Sequence, residues 1–130
     1  MLQQTQVETV KPYFEKFLKK FSTVKKLAGA HEDSILSLWS GLGYYRRAIN
    51  LHRSAKIIQE KHDGMIPNNL DDLLTLPGIG PSTAGAILSL GYDKYGVITD
   101  GNVKRLYSRY YQISGDLEKA PYKKKFLDLA

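Results

Sequence analysis

Apolar residues in this chain recur at spacings of three and four along almost its whole length, and no alternation of apolar and polar residues extends beyond a few positions. A strand presents one face every second residue and a helix every 3.6, so the pattern predicts an all-helical protein. Val7, Val10, Phe14, Phe17, Leu18 and Phe21 draw one stripe over 5–21, which Pro12 is expected to kink. Thr23 is placed to cap a short helix holding Val24 and Leu27, and Ile35, Leu36, Leu38 and Trp39 mark another before "SGLGYY" breaks the pattern. The longest helix is predicted over about 45–62, with Ala48, Leu51, Ala55 and Ile58 inward and Asp63-Gly64 ending it. Asn69 should cap a helix over 70–76, and further helices are expected over about 82–90, 101–110 and 121–130.

The chain has 130 residues, of which 42% are hydrophobic and 25% charged, a balance that fits one ordinary globular domain with its own core. No repeat, low-complexity linker or domain boundary interrupts residues 1–130. Nineteen Lys and Arg against thirteen Asp and Glu leave a formal charge of +6, which favours a polyanionic partner because neutralising phosphates releases counterions. The absence of cysteine excludes disulfides, zinc–thiolate sites, iron–sulfur ligation and a cysteine nucleophile within these residues. His31, His52 and His62 show no metal-ligand spacing and read as capping or surface residues, so no metal site is expected. No apolar run approaches the roughly 20 residues of a membrane span, and "MLQQTQVETV" lacks the basic start and apolar centre of a signal peptide. The expectation is an intracellular protein with no membrane partner; oligomeric state is left open.

The densest local signal is "LPGIGPSTAGAIL" at 76–88, two glycines and two prolines between amphipathic helical patterns. Gly78 and Gly80 are expected to take positive φ and to let another backbone approach, with Leu76 and Ile79 anchoring the turn in the core. Amides of the turn, together with the first N–H groups of the helix beginning near Pro81, suit a phosphate. A plain helix–helix corner is the alternative for a bare G-x-G, but L-P-G-I-G between two helices is more specific and resembles the DNA-binding helix-hairpin-helix of base-excision glycosylases.

Three other segments agree with it: "MLQQTQVETVKPYFEKF" at the start, "LWSGLGYYRRAINLH" at 38–52 and "DGNVKRLYSR" at 100–109. Four motifs in this order resemble the MutY family of adenine DNA glycosylases, within the endonuclease III superfamily. The resemblance implies a six-helix barrel core, double-stranded DNA carrying adenine opposite 8-oxoguanine or guanine as partner, and a [4Fe-4S] cluster in the full-length family protein but none in this chain.

It also implies roles for particular residues. Breaking an adenine N-glycosidic bond requires an acid for the leaving base and a negative charge beside the oxocarbenium-like sugar. Asp100 matches the family's catalytic aspartate, while by itself an Asp before a helix reads as an N-cap; the two roles are compatible. Asn102 matches a polar position near that aspartate and is expected to orient it. The family's catalytic glutamate falls two residues before Met1, outside these residues, so this stretch by itself is expected not to excise adenine.

Extrusion of the base needs a wedge and contacts to its former partner. Tyr44 matches the intercalating tyrosine and Gln4 the glutamine that fills the lesion site, with Thr5 and Leu42 as neighbouring candidates. Ser82 stands where strand-cutting relatives carry a Schiff-base lysine, and a hydroxyl cannot form that imine, so a monofunctional glycosylase is expected. Lys104 and Arg105 are candidates for phosphate contacts beside Asp100. Arg46, Arg47, Arg53 and Lys56 form a further basic group, each of which read singly is a solvated surface charge. Alternatives are a non-catalytic helix-hairpin-helix DNA-binding module and another superfamily glycosylase, of the thymine-mismatch or endonuclease III type.

Overall fold

A computed structural model describes residues 1–115. The helix expected over 121–130 lies outside the described residues. Seven α-helices and one π-helical turn make up the secondary structure among the described residues, in agreement with the all-helical expectation. The described residues divide into two compact units, Met1–Pro67 with Leu76–Gly78, and Asn68–Thr75 with the described residues from Ile79 onward.

The first unit is built from α1 (Val7–Lys20), α2 (Val24–Ala28), α3 (Glu32–Trp39) and α4 (Arg46–Lys61), with α2 and α3 packed on α4 and α1 packed on α3. The predicted stripe of α1 contributes Val10 and Phe17 to the core, while Phe14 and Leu18 stay exposed at its margin. Phe17 meets Phe21 and Trp39 edge-on, with ring centroids 5.1 and 6.0 Å apart, the geometry that the ring quadrupoles favour. α1 continues through Pro12, which the sequence reading takes as a kink. Thr23 caps α2 as expected, its Oγ1 accepting from the Lys26 N–H at 3.1 Å.

α4 buries three of the four residues predicted to face inward, and His52 takes the place expected for Leu51. Ala48, His52, Ala55 and Ile58 are buried, with His52 only 2% exposed, whereas Leu51 is 37% exposed. The spacing Ala48–His52–Ala55 is i, i+4, i+7, one helical face. Its middle member is polar, so hydropathy favoured the adjacent leucine, and the surface or capping role expected for His52 is corrected to a core position. α4 ends at Asp63 and Gly64, both with positive φ, and the Gly64 N–H donates to the Ile58 carbonyl at 3.0 Å, a glycine C-terminal cap of the kind the sequence indicates.

The second unit holds α5 (Leu70–Leu74), α6 (Pro81–Ala86), the π-turn Ile87–Gly91 and α7 (Gly101–Tyr110). Asn69 caps α5 through its Oδ1 and the Asp72 N–H at 2.9 Å. The helix expected over 82–90 begins on Pro81 and widens into the π-turn at Ile87. There the connector 92–100 is held against it: the Lys94 N–H donates to the Leu88 carbonyl at 3.0 Å, and Gly85 and Gly96 allow backbone to meet backbone. A Cβ built on Gly85 would lie 2.0 Å from the Val97 carbonyl oxygen, and one on Gly96 2.2 Å from that of Gly85. Only glycine at both positions permits this crossing, which delivers the chain to Asp100 and α7. Among the described residues no helix is long and apolar enough to cross a membrane.

Candidate nucleic-acid interface

The loop between α3 and α4 is set by backbone that side chains ordinarily avoid. Gly41, Gly43 and Tyr44 have φ of 90°, 77° and 50°. At Gly41 a Cβ would also fall 2.5 Å from the Tyr13 hydroxyl. Left-handed backbone is easy for glycine and costs other residues roughly 1–2 kcal/mol, so Tyr44 is held against its preference. Its ring stands outward, 63% exposed, while Leu42, 6% exposed, is folded into the core and anchors the loop. Gln4 shares the unusual conformation, with φ of 58°, and is also exposed. Thr5 is half-buried, its Oγ1 enclosed with no partner among the described residues.

Arg47 joins these two segments. It lies in the first turn of α4, and its Nη1 donates to the carbonyls of Met1 and Gln3, 46 and 44 residues away in sequence. Its Nη2 donates to the Gly43 carbonyl at 3.2 Å, which also accepts from the Trp39 indole Nε1 at 3.1 Å. The guanidinium carbon sits 5.6 Å from the centre of the Trp39 ring and 5.4 Å from that of Tyr44, within range for cation–π attraction. The sequence reading placed Arg47 with Arg46, Arg53 and Lys56 as surface cations; those three are exposed and Arg47 is turned inward. Nothing in hydropathy marks such a role, because the carbonyls it binds are distant in sequence.

The hairpin begins in the same unit. Leu76 is buried at 2% exposure, the Ser54 hydroxyl donates to the Pro77 carbonyl at 3.1 Å, and Gly78 takes φ of 78°. A Cβ on Gly78 would lie 2.8 Å from Asn50 Nδ2, so this glycine is required by backbone and by space together.

Within the second unit Ile79 is half-buried rather than fully in the core. Gly80, expected at positive φ, is extended instead, with φ of −99° and ψ of 178°. The reason is its place as N-cap of α6, a position with β-region backbone. A Cβ on Gly80 would meet nothing within 4 Å, so the space over it is open. Ser82 follows Pro81 in the first turn of α6 and is half-buried.

Asp100 is the N-cap of α7, its Oδ1 accepting from the backbone N–H groups of Asn102 and Val103, both at 2.9 Å. These bonds leave Oδ2 outside the cap. The Asn102 backbone therefore touches the aspartate, while its side-chain Oδ1 accepts from Arg105 Nη2. Lys104 is half-buried on α7 and Arg105 exposed. Among the described residues no three His, Cys, Asp or Glu side chains gather as a metal site would need. With no cysteine in the sequence either, these residues do not fit an iron–sulfur cluster.

A helical chain with a glycine hairpin, an outward tyrosine on strained backbone and an aspartate at a helix start agrees with the family comparison. The chain belongs to the HhH-GPD superfamily of base excision DNA repair proteins, whose family model matches residues 1–129. It is 55% identical over 114 residues to the adenine DNA glycosylase of Buchnera aphidicola subsp. Baizongia pistaciae, covering 88% of this chain and 32% of that protein. With human adenine DNA glycosylase it shares 40% over 117 residues, 89% of this chain and 21% of the other. The chain thus spans about a third of the first of these relatives. A solved structure of a trapped covalent intermediate of endonuclease III with DNA superposes with a TM-score of 0.85 at 21% identity, over 97% of this chain and 59% of the other. A thermostable thymine-DNA glycosylase superposes at 0.81 with 24% identity, over 97% and 60%. At these identities the two structures speak for the fold.

Proposed function

We propose that this chain forms part of a monofunctional adenine DNA glycosylase acting on adenine opposite 8-oxoguanine or guanine in duplex DNA. The observation that carries the reading is Asp100, a carboxylate fixed at a helix start by two amides to Oδ1 with Oδ2 left available. As the glycosidic bond breaks, positive charge develops on the sugar, and an anion already in place stabilises it without reorganising at that moment. The base leaves with a proton supplied by an acid, a role assigned to no described carboxylate. Tyr44 acts as the wedge and Gln4, with Thr5 beside it, meets the base left behind. Gly78 and Gly80 let the hairpin approach a phosphate, with Lys104 and Arg105 as cations near Asp100. Ser82 offers no amine, so strand cutting through an imine is not part of the reaction. The names of the relatives support adenine as the base, and the motif match supports its pairing.

The test uses the full-length protein and a duplex with adenine opposite 8-oxoguanine. Asp100→Asn retains a good helix cap but loses the negative charge, so single-turnover adenine release should fall on the order of 10²–10³-fold with duplex affinity retained. Borohydride should trap no covalent adduct. An unimpaired Asp100→Asn rate removes the aspartate from the chemistry, and a trapped adduct removes the monofunctional reading.

A further inference from the structure

We propose that Arg47 is a positioning residue that sets the wedge and the lesion-reading segment together, so that one guanidinium governs discrimination between damaged and undamaged pairs. The inference rests on the roles proposed above for Tyr44 and Gln4. Its basis is which carbonyls Arg47 holds. Rotation about the N–Cα bond of a residue turns the peptide plane that precedes it, and that plane is rigid. Holding the carbonyl of residue i−1 therefore restrains φ of residue i. Arg47 binds the Gln3 carbonyl, which precedes Gln4, and the Gly43 carbonyl, which precedes Tyr44. Gln4 and Tyr44 are two of the few non-glycine residues with positive φ among those described.

The same guanidinium lies against the Tyr44 ring and the Trp39 ring, so it supports the side chain of the wedge as well as its backbone. Further bonds, from Arg47 Nη1 to the Met1 carbonyl and from the Trp39 indole to the Gly43 carbonyl, brace both ends of the arrangement. A planar fork can serve several acceptors in fixed directions while stacking on a ring, which a lysine ammonium cannot reproduce. The segment bearing Gln4 and the loop bearing Tyr44 are thus registered against each other before DNA arrives, a form of preorganisation.

Arg47→Lys in the full-length protein separates this role from a phosphate contact, since it keeps the charge and loses the fork. The expected result is a fall of about tenfold or more in the ratio of affinities for the A·8-oxoguanine duplex over the undamaged duplex. Affinity for undamaged DNA and the salt slope should stay near wild type. A 2-aminopurine beside the lesion should lose most of the fluorescence change that insertion of Tyr44 produces. Combined with Tyr44→Ala and Gln4→Ala together, Arg47→Lys should add little to the loss from that pair alone, as expected of a residue acting through both.

An unchanged ratio in folded Arg47→Lys overturns the proposal, as does a uniform loss for both duplexes. If Tyr44→Ala and Gln4→Ala themselves leave the ratio unchanged, what fails is the assignment of wedge and reader, whatever Arg47 does. A measurement needing no variant stands beside these. Rotation of the Arg47 guanidinium about its Nε–Cζ bond, followed by nitrogen NMR in the DNA-free protein, should be slow compared with Arg53, and equally fast rotation in the two overturns the clamp.

Discussion

Two glycines two residues apart illustrate how differently the same amino acid constrains a chain. Gly78 combines φ of 78° with a space already taken by Asn50, whereas Gly80 has backbone open to any residue and no neighbour that a Cβ would reach. Gly78→Ala incurs left-handed strain and a clash that Asn50 must relieve. It should therefore destabilise by about 1–3 kcal/mol. Gly80→Ala removes only a serviceable N-cap and should cost about 1 kcal/mol or less. Denaturant midpoints of the two variants at constant m-value test the difference, and equal losses would show that the hairpin is strained at both positions. Tyr44 and Gln4 present the converse case, side chains held where glycine would be easier. Such strain persists only where surroundings enforce it, and at both residues the enforcing group is the same arginine.

Among elements, the passage from α6 through the π-turn and the connector to α7 decides where Asp100 stands. Its critical contact is the crossing of Gly85 and Gly96, where neither backbone has room for a methyl group. A Cβ at 2.0 Å from the Val97 oxygen meets backbone, which cannot rotate away as a side chain would. Gly85→Ala and Gly96→Ala should each destabilise by about 1–3 kcal/mol and lower adenine release more than they lower DNA affinity. Because both open the same crossing, the double variant should lose clearly less than the sum of the singles. Additive losses in chemical unfolding would mean that the two glycines act on separate contacts. α4 makes a related point about faces: its inward row contains His52, whose Nε2 is buried with no partner among the described residues, so an apolar criterion chose Leu51 instead.

For the molecule as a whole, the helical class and several elements were legible because they depend on neighbours in sequence. The Thr23 and Asn69 caps, the Gly64 terminus and α7 over Gly101–Tyr110 follow from spacings of a few residues. The Arg47 clamp, the π-turn and the Gly85–Gly96 crossing depend on segments brought together only by folding, and periodicity carries no trace of them. Gly80 departs from the expectation for a local reason, since a G-x-G turn suggests positive φ at both glycines whereas the N-cap of α6 takes β-region backbone at the second. For the candidate site the sequence supplied the residue types, and the structure supplied the groups that hold them, the Arg47 guanidinium for Tyr44 and Gln4 and two backbone amides for Asp100. The excess positive charge was legible from the start, but its use depends on which groups meet phosphate. Each cation that neutralises a phosphate of duplex DNA contributes about 0.9 to the slope of log K against log salt concentration, whereas a backbone amide carries no net charge. Gly80→Val, which has open space for its side chain, should stay folded with a loss of about 1 kcal/mol or less from the cap and lose affinity by a similar factor at every salt concentration, giving a line parallel to wild type. Arg46→Ala, at an exposed cation two residues from Tyr44, should instead flatten the line by about 0.9 if that residue meets a phosphate. Parallel displacement at Gly80 and altered slope at Arg46 would assign the grip to amides and cations respectively. A folded Gly80→Val protein that binds as tightly as wild type would remove the hairpin from the interface and leave DNA binding to the charged surface.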